Sequence, residues 1–400
     1  MNRRTFLSAS TVLPFAITPS FLSAQTIPNK KAVIWVWLSG GATHIETFNP
    51  IPDGPDTHRS VTGSIQTAVP GIQLGGHFEN MAKNAKNFTF VRSFGHISAD
   101  HARATHLLHT AREFQGSGNE QSWPCLGSIV SENFGGVAQN GLPLYIKSGS
   151  VDYDRAGWLG ARYNPFDMNG DLRKHKLTKE EEETLKMRGR ALSELDQFHK
   201  DRPEIQNLNK IKQQTYDLVF GSGRNAFETK DESQAVKDSY GQFGNPFLVA
   251  RRLVQNGVRF VSINTGGWDN HQGIQAIMGE RCPPIDIAIS ALVNDLGQNG
   301  LLEDTLIVVT SEFGRSPLNK NGGRDHLGKV CPLVFAGGSY DHGRIIGKTN
   351  NTATEVADGL VGPMDLMATV FNHCGISSTT RKTDLNGRPM KLNDGGKCIL

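Results

Sequence analysis

The chain has 400 residues, a length that allows one large α/β domain or two to three smaller ones. Its 42 Lys and Arg residues nearly balance 39 Asp and Glu residues, for a formal net charge of +3. This balance argues against the basic stripe of a nucleic-acid-binding protein and the polybasic patch of a membrane-surface protein. Hydrophobic residues make up 37% of the chain, enough for a large buried core.

The first 25 residues have the layout of an export signal. Arg3 and Arg4 are followed by a Phe-Leu pair and by a moderately apolar stretch that ends at Leu22. Paired arginines at this position predict the twin-arginine export route, a mature chain that starts near Gln25, and a periplasmic or otherwise exported protein. Because Ser, Thr and Pro interrupt the apolar stretch, we expect no stable membrane span.

Short apolar runs and helical patterns alternate along the rest of the chain. The apolar runs predict strands at 31–38, 88–91, 142–146, 259–263, 305–310 and 331–335. The helical patterns predict helices at 101–112, 245–255, 284–296 and 363–371. This alternation favours one domain over residues 26–400, an α/β/α sandwich with a mostly parallel central sheet.

Residues 150–245 interrupt this alternation, with fewer strand signals and more charge. Thr178 begins a capping box, and apolar residues follow at helical spacing until Pro203. Further apolar residues predict a second helix that extends to Leu218. We therefore expect a helical insert in the α/β domain, which caps the edge of the site or forms a contact surface.

Polar residues follow several predicted strands, at the positions where open α/β sheets bind ligands. The candidate residues are His44 and Glu46 after the first strand, Ser98 and His101 after the second, Asp269 and His271 after the fourth, and Glu312, Arg315, Arg324 and His326 after the fifth. We expect these loops to converge on one edge of the sheet.

The His, Asp and Glu residues of these loops are ligand types that suit a divalent cation. Asp269 and His271 are two residues apart, so both reach one ion from an extended segment. Asp325 and His326 are adjacent, so one binds the ion and the other orients a ligand. A carboxylate such as Glu312 at the end of an apolar strand must be paired, hydrated or metal-bound. These residues predict a metal or anion site, for zinc first, with manganese and calcium as alternatives.

Arginines near the same loops are candidates for binding an anionic ester. A guanidinium group can bind two ester oxygens at once. The competing interpretation is an ion pair within the protein. The candidates are Arg103, Arg315 and Arg324.

The order of these motifs resembles an uncharacterised bacterial family of exported, sulfatase-like proteins in the alkaline phosphatase superfamily. The matching stretches are LSGGATHIETFNP (38–50), VRSFGHISADHARATHLLHTA (91–111), GWDNHQ (267–272), TSEFGRSP (310–317) and GGRDHLGKVCPLVFAGG (322–338). The resemblance implies an α/β/α sandwich, one or two divalent metals, and hydrolysis of phosphate or sulfate esters.

The resemblance also implies roles for individual metal ligands. Asp269 and His271 are similar to the superfamily's D-x-x-x-H motif with shortened spacing, and His326 to its late metal histidine. Glu312 takes the Asp position of the S-D-H-G motif, but Phe313 stands where that motif has His.

The first strand and the nucleophile depart further from the superfamily. The Asp that ends the first strand is absent, and His44 or Glu46 would substitute for it. The stretch from His101 resembles the C-x-P-S-R pattern, so His stands where Cys or Ser is expected. His101 and the nearby hydroxyl of Ser98 are therefore the catalytic candidates.

Two functions stay open, and a third is disfavoured. We expect first an exported metal-dependent hydrolase that acts on a small anionic ester or on a sulfated or phosphorylated glycan. The alternative is a catalytically degenerate exported protein that uses the same crevice to bind a glycan or an exported partner protein. A phosphoryl-moving mutase is disfavoured because its usual substrates are cytoplasmic.

Overall fold

A computed structural model describes residues 30–114, 123–169, 222–384 and 386–400, together with four positions between 180 and 187. Its helices are α1 (Glu79–Lys83), α2 (His101–Thr110), α3 (Leu126–Asn133), α4 (Gln234–Ser239), α5 (Asn245–Gln255), α6 (Ile274–Gln298) and α7 (Pro363–His373). Its strands are β1 (Ala32–Leu38), β2 (Ser64–Gln66), β3 (Gln73–Gly75), β4 (Phe88–Val91), β5 (Tyr145–Ser148), β6 (Phe166–Asp167), β7 (Phe260–Thr265), β8 (Thr305–Thr310), β9 (Gly314–Leu318), β10 (Arg324–Leu327), β11 (Leu333–Gly337), β12 (Arg344–Ile346), β13 (Lys348–Thr349), β14 (Val356–Asp358), β15 (Arg381–Thr383) and β16 (Pro389–Lys391).

Within the described residues, eight strands form one sheet in the order β12-β4-β11-β8-β1-β7-β5-β6. The strand β11 runs antiparallel to both of its neighbours, and the other seven strands run parallel to one another. The prediction of a mostly parallel sheet is therefore confirmed.

Alternate residues of β1 pack into two separate cores, which is why the strand is apolar throughout. One core contains Ala32, Ile34, Val36 and Leu38 together with Met81 of α1, Leu248 of α5 and Ile289 of α6. The other core contains Val33, Trp35 and Trp37 together with Leu108 of α2, Ile129 of α3 and Leu366 of α7. Helices thus cover both faces of the sheet, as the α/β/α prediction required.

The carboxyl ends of β4, β8, β1 and β7 lie at one edge of the sheet because these strands share a direction. Leu38 at the end of β1 pairs with Thr265 at the end of β7, and Trp37 pairs with Thr310 at the end of β8. The loops after these strands therefore start side by side. The β9–β10 hairpin follows β8 and returns to the same edge.

Two predicted strands are displaced in the structure. The third is shifted from 142–146 to β5, since the carbonyl of Leu142 and the N–H of Leu144 bond to Ala138 and Gly136 in the preceding loop. The last is shifted from 331–335 to β11, because Pro332 has no N–H to donate to a neighbouring strand. It also runs antiparallel to β4 and β8, as the exception in the mostly parallel sheet.

Helix α6 begins ten residues before its predicted start at Pro284. The sequence predicts the start at Pro284, because a proline is favoured in the first turn of a helix. Instead, Pro283 and Pro284 both lie inside α6, and Gly273 precedes its first residue. The remaining helices predicted at 101–112, 245–255 and 363–371 form with ends that agree within two residues.

The predicted insert at 150–245 is only partly described. The hairpin expected between Thr178 and Leu218 lies outside the described residues except for four positions, and the export signal lies outside them entirely. The described part contains β6, which pairs in parallel with β5, so the segment is not free of strands. In the described residues, no helix combines the length and apolar character of a membrane span.

Candidate functional site

Three histidines surround Asp269 at the sheet edge, from the start of α2, the loop after β7 and strand β10. The Nε2 atom of His271 lies 3.0 Å from Oδ1 of Asp269, and Nε2 of His326 lies 3.2 Å from the same oxygen. The Nε2 atom of His101 lies 3.4 Å from Oδ2 of Asp269. We call Asp269, His101, His271 and His326 the histidine cluster. Four of the candidate site residues from the sequence analysis therefore lie together in the structure.

Glu312 fixes the ring of His101 from behind. Its Oε1 atom lies 2.9 Å from Nδ1 of His101 and accepts from the backbone N–H of Gly40 at 2.8 Å. The hydroxyl of Ser311 lies 3.0 Å from Oε2. An ionised carboxylate only accepts hydrogen bonds, so Nδ1 of His101 bears the proton. In the neutral ring, Nε2 then presents a lone pair to Asp269.

His271 and His326 are fixed in the same tautomer. The Nδ1 atom of His271 lies 2.9 Å from the carboxylate of Asp325, and Nδ1 of His326 lies 2.9 Å from the carbonyl oxygen of Ala99. Both partners are acceptors, so both Nδ1 atoms bear the proton and both Nε2 atoms present lone pairs. Three imidazole lone pairs and a carboxylate thus converge on one point.

Arg315 orients Asp269 and keeps it ionised. Its Nη2 atom donates to Oδ1 of Asp269 at 2.6 Å, and the side chain is almost fully buried. Burial opposes ionisation of Asp269, but the hydrogen bond and the positive charge of Arg315 outweigh it and lower the pKa to about 2. The carboxylate is therefore charged over the whole physiological range.

The pKa values of His101 and Glu312 move in opposite directions. The hydrogen bond to Glu312 raises the pKa of His101, in spite of partial burial. Burial opposes ionisation of Glu312, but the hydrogen bonds from His101 and from backbone N–H groups hold its pKa below the ordinary value. Each partner thus stabilises the charged form of the other.

Phe313 packs against two imidazoles of the cluster. Its ring centroid lies 4.9 Å from that of His101 and 4.4 Å from that of His326. The ring is fully buried, and it approaches Gly41 so closely that a Cβ there would lie 2.1 Å from Phe313. Gly41 also has φ +79°, which favours glycine. Phe313 therefore supports the cluster by packing against it.

The donor set of the cluster fits a divalent cation. Ligand atoms of His101, Asp269 and His326 all lie within 4.8 Å of one another. The Nε2 atom of His271 lies 3.1 Å from that of His326, so it can also approach an ion held there. Converging lone pairs of imidazole and carboxylate repel one another unless a cation lies between them. Imidazole-rich sets of this kind suit zinc better than manganese or calcium, which favour oxygen ligands.

The structure corrects the metal-ligand expectation for Glu312. Both of its oxygens already accept hydrogen bonds, from His101, Gly40 and Ser311. Glu312 therefore acts through His101 and does not belong to the group that could hold an ion. Its place behind an imidazole is common for carboxylates near metal-binding histidines.

The structure also corrects the expectations for Glu46 and Arg324. The two side chains are fully buried and form a two-point ion pair with distances of 2.7–3.1 Å. The remaining donors of Arg324 bond to the carbonyl oxygens of Thr57, Arg59 and Ser316. Neither residue is then available to a metal or to an ester, and the interpretation as an internal ion pair applies to Arg324.

His44 and Arg315 are likewise used inside the protein. The Nε2 atom of His44 lies 2.9 Å from the carbonyl oxygen of Ala353, and burial lowers its pKa to about 4. Arg315 donates to carbonyl oxygens of Gly40, Gly41, Trp268 and Arg324 besides Asp269. His44 is therefore no member of the cluster, and Arg315 positions loops and does not face an ester.

Ser98 and Arg103 lie on the segment that borders the cluster. Ser98 precedes Ala99, whose carbonyl holds His326, and its own N–H donates to Nδ1 of His96 at 3.1 Å. Arg103 is exposed in the first turn of α2, two residues after His101. The catalytic role of Ser98 and the substrate-binding role of Arg103 stay predictions.

Two features of the site had little signal in the sequence. The carbonyl of Ala99 and the N–H of Gly40 act through the backbone, which no side-chain pattern reveals. The supporting role of Arg315 depends on loops that meet only in the fold. The only hint in the sequence is an arginine that follows Gly314, five residues after the end of an apolar run.

Comparison with solved structures gave similar chains at low identity. A lipoteichoic acid synthase, LtaP, from Listeria monocytogenes is 10% identical with a TM-score of 0.40, over 92% of this chain and 75% of that one. The PsFucS1 sulfatase from Pseudoalteromonas sp. is 14% identical with a TM-score of 0.38, over 92% and 73%. A protein in the alkaline phosphatase superfamily from Vibrio parahaemolyticus is 9% identical with a TM-score of 0.39, over 87% and 68%. Similarity at this level supports no inference about chemistry.

Comparison at the level of sequence families is more specific. None of the curated proteins matches this sequence. A family model described as "Protein of unknown function (DUF1501)" matches residues 30–400, which is nearly all of the described domain. The prediction of a domain-of-unknown-function family is therefore confirmed, and the chain belongs to the DUF1501 family.

Proposed function

We propose that this protein is an exported, metal-dependent hydrolase of phosphate or sulfate esters. The observation that carries the proposal is the convergence of three imidazole lone pairs and one ionised carboxylate in the histidine cluster. The cluster lies where open α/β sheets bind ligands. The motif resemblance to sulfatase-like proteins supports the choice of an ester as substrate.

In this proposal, Asp269, His101 and His326 hold the ion, and His271 is placed to join them. Zinc is our first choice, manganese the second and calcium the third, because most of the donors are imidazoles. A bound divalent cation would act as a Lewis acid on an ester oxygen and lower the pKa of water.

The surrounding residues keep the ligands ready for that cation. Glu312 and Asp325 accept the Nδ1 protons of His101 and His271, which turns both Nε2 lone pairs inward. Arg315 orients the carboxylate of Asp269. Because these rings and the carboxylate are held before a ligand arrives, little reorganisation is needed on binding.

The residues that we propose to act on the ester lie on the segment that leads into α2 and in its first turn. The hydroxyl of Ser98 is the candidate nucleophile in that segment, and His101 is the alternative if it does not bind the ion. Arg103 is the candidate cation for the ester oxygens, since Arg315 and Arg324 are buried and already paired. The N-terminus of α2 adds an electrostatic preference for anions.

The wider setting of the proposal comes from the sequence. The twin-arginine signal supports a periplasmic or otherwise exported enzyme. The substrate class that fits is a small anionic ester or a sulfated or phosphorylated glycan.

A catalytically degenerate binding protein is the second candidate. Phe313 replaces a metal-binding histidine of the superfamily motif, and it is fully buried between two imidazoles. Such a protein would keep the crevice and use it to bind a glycan or an exported partner protein.

A joint assay of metal content and hydrolysis distinguishes the two candidate functions. Purified full-length protein is supplied with zinc, manganese or calcium and tested on 4-nitrophenyl phosphate and 4-nitrophenyl sulfate. We expect about one or two ions per chain by elemental mass spectrometry and hydrolysis that chelation abolishes. Asp269→Asn should lose the ion and at least about 100-fold in rate.

The matched control is His77→Ala, which removes a partly exposed histidine outside the cluster. This variant should retain both the ion and the activity. A wild type that binds no divalent ion and hydrolyses neither ester would overturn the hydrolase proposal and favour the binding protein.

A further inference from the structure

His96 lies beside the histidine cluster and is not one of the residues that could hold the ion. It follows the end of β4 by five residues, in the segment that leads to α2. The Nε2 atom of its half-buried ring lies 2.7 Å from the carbonyl oxygen of Glu312. Its Nδ1 atom lies 3.1 Å from the backbone nitrogen of Ser98, which donates to it. Both ring nitrogens are therefore engaged within the protein.

These two contacts fix the tautomer of His96. A carbonyl oxygen only accepts and a backbone N–H only donates, so Nε2 bears the proton and Nδ1 presents a lone pair. Burial lowers the pKa of His96 and so favours the neutral ring that this arrangement requires. The tautomer is the opposite of the one in His101, His271 and His326, whose Nδ1 atoms bear the proton. The Nε2 atom of His96 is therefore a donor and cannot bind a cation in this position.

The backbone at His96 packs on the residue that follows strand β10. Its N–H donates to the carbonyl oxygen of Gly328 at 2.8 Å, and Gly328 follows His326 by two residues. A Cβ at Gly328 would lie 2.2 Å from the carbonyl oxygen of Ser98, so glycine is needed for this approach. The segment that contains His96 and Ser98 is therefore in direct contact with the segment that carries His326.

Each contact of the His96 ring leads to one acceptor that fixes a histidine of the cluster. Glu312, whose carbonyl oxygen accepts from His96, holds Nδ1 of His101 with its carboxylate at 2.9 Å. Ser98, whose N–H donates to His96, precedes the residue whose carbonyl oxygen accepts the Nδ1 proton of His326 at 2.9 Å. One imidazole ring thus joins the acceptors of two of the three histidines.

We infer that His96 is a positioning residue, which sets the acceptors on which the orientation of His101 and His326 depends. It contacts neither the ion nor the ester, and it acts through Glu312 and Ala99. The inference rests on the proposed function, because two correctly oriented imidazoles matter for binding a cation. Hydrogen-bond partners of metal-binding histidines commonly contribute about 10–100-fold to metal affinity, and His96 contributes through two of them.

Two substitutions separate the two contacts of His96. Glutamine brings its amide nitrogen near the place of Nε2, so His96→Gln keeps the donor to Glu312 and loses the acceptor for Ser98. Asparagine commonly accepts the N–H two residues further on, so His96→Asn keeps the acceptor for Ser98 but is too short to reach Glu312. His96→Gln should therefore disturb His326, and His96→Asn should disturb His101.

His342 provides the matched control. Its Nε2 atom lies 2.8 Å from the carbonyl oxygen of Gly337, and its Nδ1 atom lies 2.9 Å from the hydroxyl of Thr89. Gly337 pairs with Leu306 near the start of β8, so these contacts lie at the opposite edge of the sheet from the cluster. His342→Gln and His342→Asn should therefore remove the same kinds of hydrogen bond without affecting the cluster.

The first test follows the hydrogen-bonded Nδ1 protons of His101 and His326 by NMR in the metal-free full chain. His101→Gln and His326→Gln assign the two resonances by their loss. Exchange with water should accelerate at least about tenfold for His326 in His96→Gln and for His101 in His96→Asn, and neither should change in the His342 variants. Unchanged exchange in both His96 variants, or equal acceleration of both protons in each, would overturn the inference.

The second test measures zinc affinity by calorimetric titration. Both His96 variants should bind zinc about tenfold more weakly than the wild type, and the His342 variants should bind it as the wild type does. A wild type that binds no zinc but shows the expected exchange would refute the metal site of the proposed function and leave His96 as a positioning residue. Wild-type zinc affinity in both His96 variants would refute the inference and leave the proposed function.

Discussion

The Nε2 atoms of His271 and His326 lie only 3.1 Å apart. Each ring has its Nδ1 proton engaged by an acceptor, Asp325 in one case and Ala99 in the other. Two lone pairs therefore face each other, next to the carboxylate of Asp269. A proton or a metal ion must separate them, and the cluster is consequently a site that a cation stabilises.

Asp325 provides the first prediction, because it contacts His271 and is not one of the residues that could hold a metal ion. Asp325→Ala frees the Nδ1 proton of His271, so the ring can change tautomer and turn its Nε2 atom into a donor. We expect zinc affinity to fall about 10–100-fold, measured by calorimetric titration of metal-free protein. The substitution should weaken zinc binding without destabilising the fold. The thermal midpoint of metal-free Asp325→Ala should therefore lie within a few degrees of that of the metal-free wild type.

Glu355→Ala is the matched control for this substitution. Glu355 is an exposed carboxylate like Asp325, and its partner is Lys329 outside the cluster. It should leave zinc affinity unchanged. Equal affinities in the two variants would show that Asp325 does not orient His271.

How much of the fold and of the site can be predicted from the sequence depends on which of their contacts are local. The continuous apolar run of β1 and the amphipathic pattern of α5 follow from burial on a sheet, so both elements are predicted correctly. The convergence of Asp269 with His101 and His326 also follows, because parallel strands end at one edge. Sheet topology thus accounts for the membership of the cluster.

The sequence does not predict the partners of the charged side chains. Arg315, Arg324 and Glu46 all follow strands, and nothing local distinguishes an arginine that faces a substrate from one that is buried. A register shift between Arg324 and His326 in the β9–β10 hairpin decides where these side chains lie. Such shifts depend on packing between loops that are distant in sequence, so they become visible only in the fold.

Arg315 provides the second prediction, as the residue that joins Asp269 to the loop after β1 and to strand β10. Arg315→Met removes its donors and leaves the carboxylate of Asp269 with histidine partners only. We expect a loss of about 3 kcal/mol in the free energy of unfolding, measured by urea denaturation, and weaker zinc binding. Arg103→Met, on exposed Arg103, should change the unfolding free energy by less than about 0.5 kcal/mol. Similar stability of the two variants would contradict the role assigned to Arg315.

The ion pair of Glu46 and Arg324 provides the third prediction. Both side chains are fully buried, so Arg324→Met leaves a buried carboxylate without its partner. We expect this change to cost about 3–5 kcal/mol of unfolding free energy. The double variant with Glu46→Gln should recover part of that loss, because the unpaired charge is removed.

The exposed pair of Lys329 and Glu355 is the control for that cycle. Both side chains are more than half exposed, so Lys329→Ala should cost less than about 1 kcal/mol. A double variant of Glu46 and Arg324 no more stable than Arg324→Met alone would show that the buried charge is not the cause.

The fourth prediction concerns acid stability and His44. Burial lowers the pKa of His44 from 6.5 to about 4, and burial likewise lowers the pKa of His373 to about 4. Between these values the unfolded chain binds a proton at each position that the folded chain does not. Stability must therefore fall as the pH falls from 6.5 to 4, by up to about 1.4 kcal/mol per pH unit for each histidine.

Urea denaturation at pH 7, 6 and 5 measures this slope. His44→Gln keeps a side-chain donor for the carbonyl oxygen of Ala353 but cannot titrate. It should therefore reduce the slope of unfolding free energy against pH by the contribution of one histidine. His373→Gln, beside the carbonyl oxygen of Ala32, should reduce it by a similar amount, and the two reductions should add. A slope that both variants leave intact would mean that neither histidine is kept neutral by burial, and the acid sensitivity would then come from other histidines such as His96 and His109, whose pKa values burial also lowers.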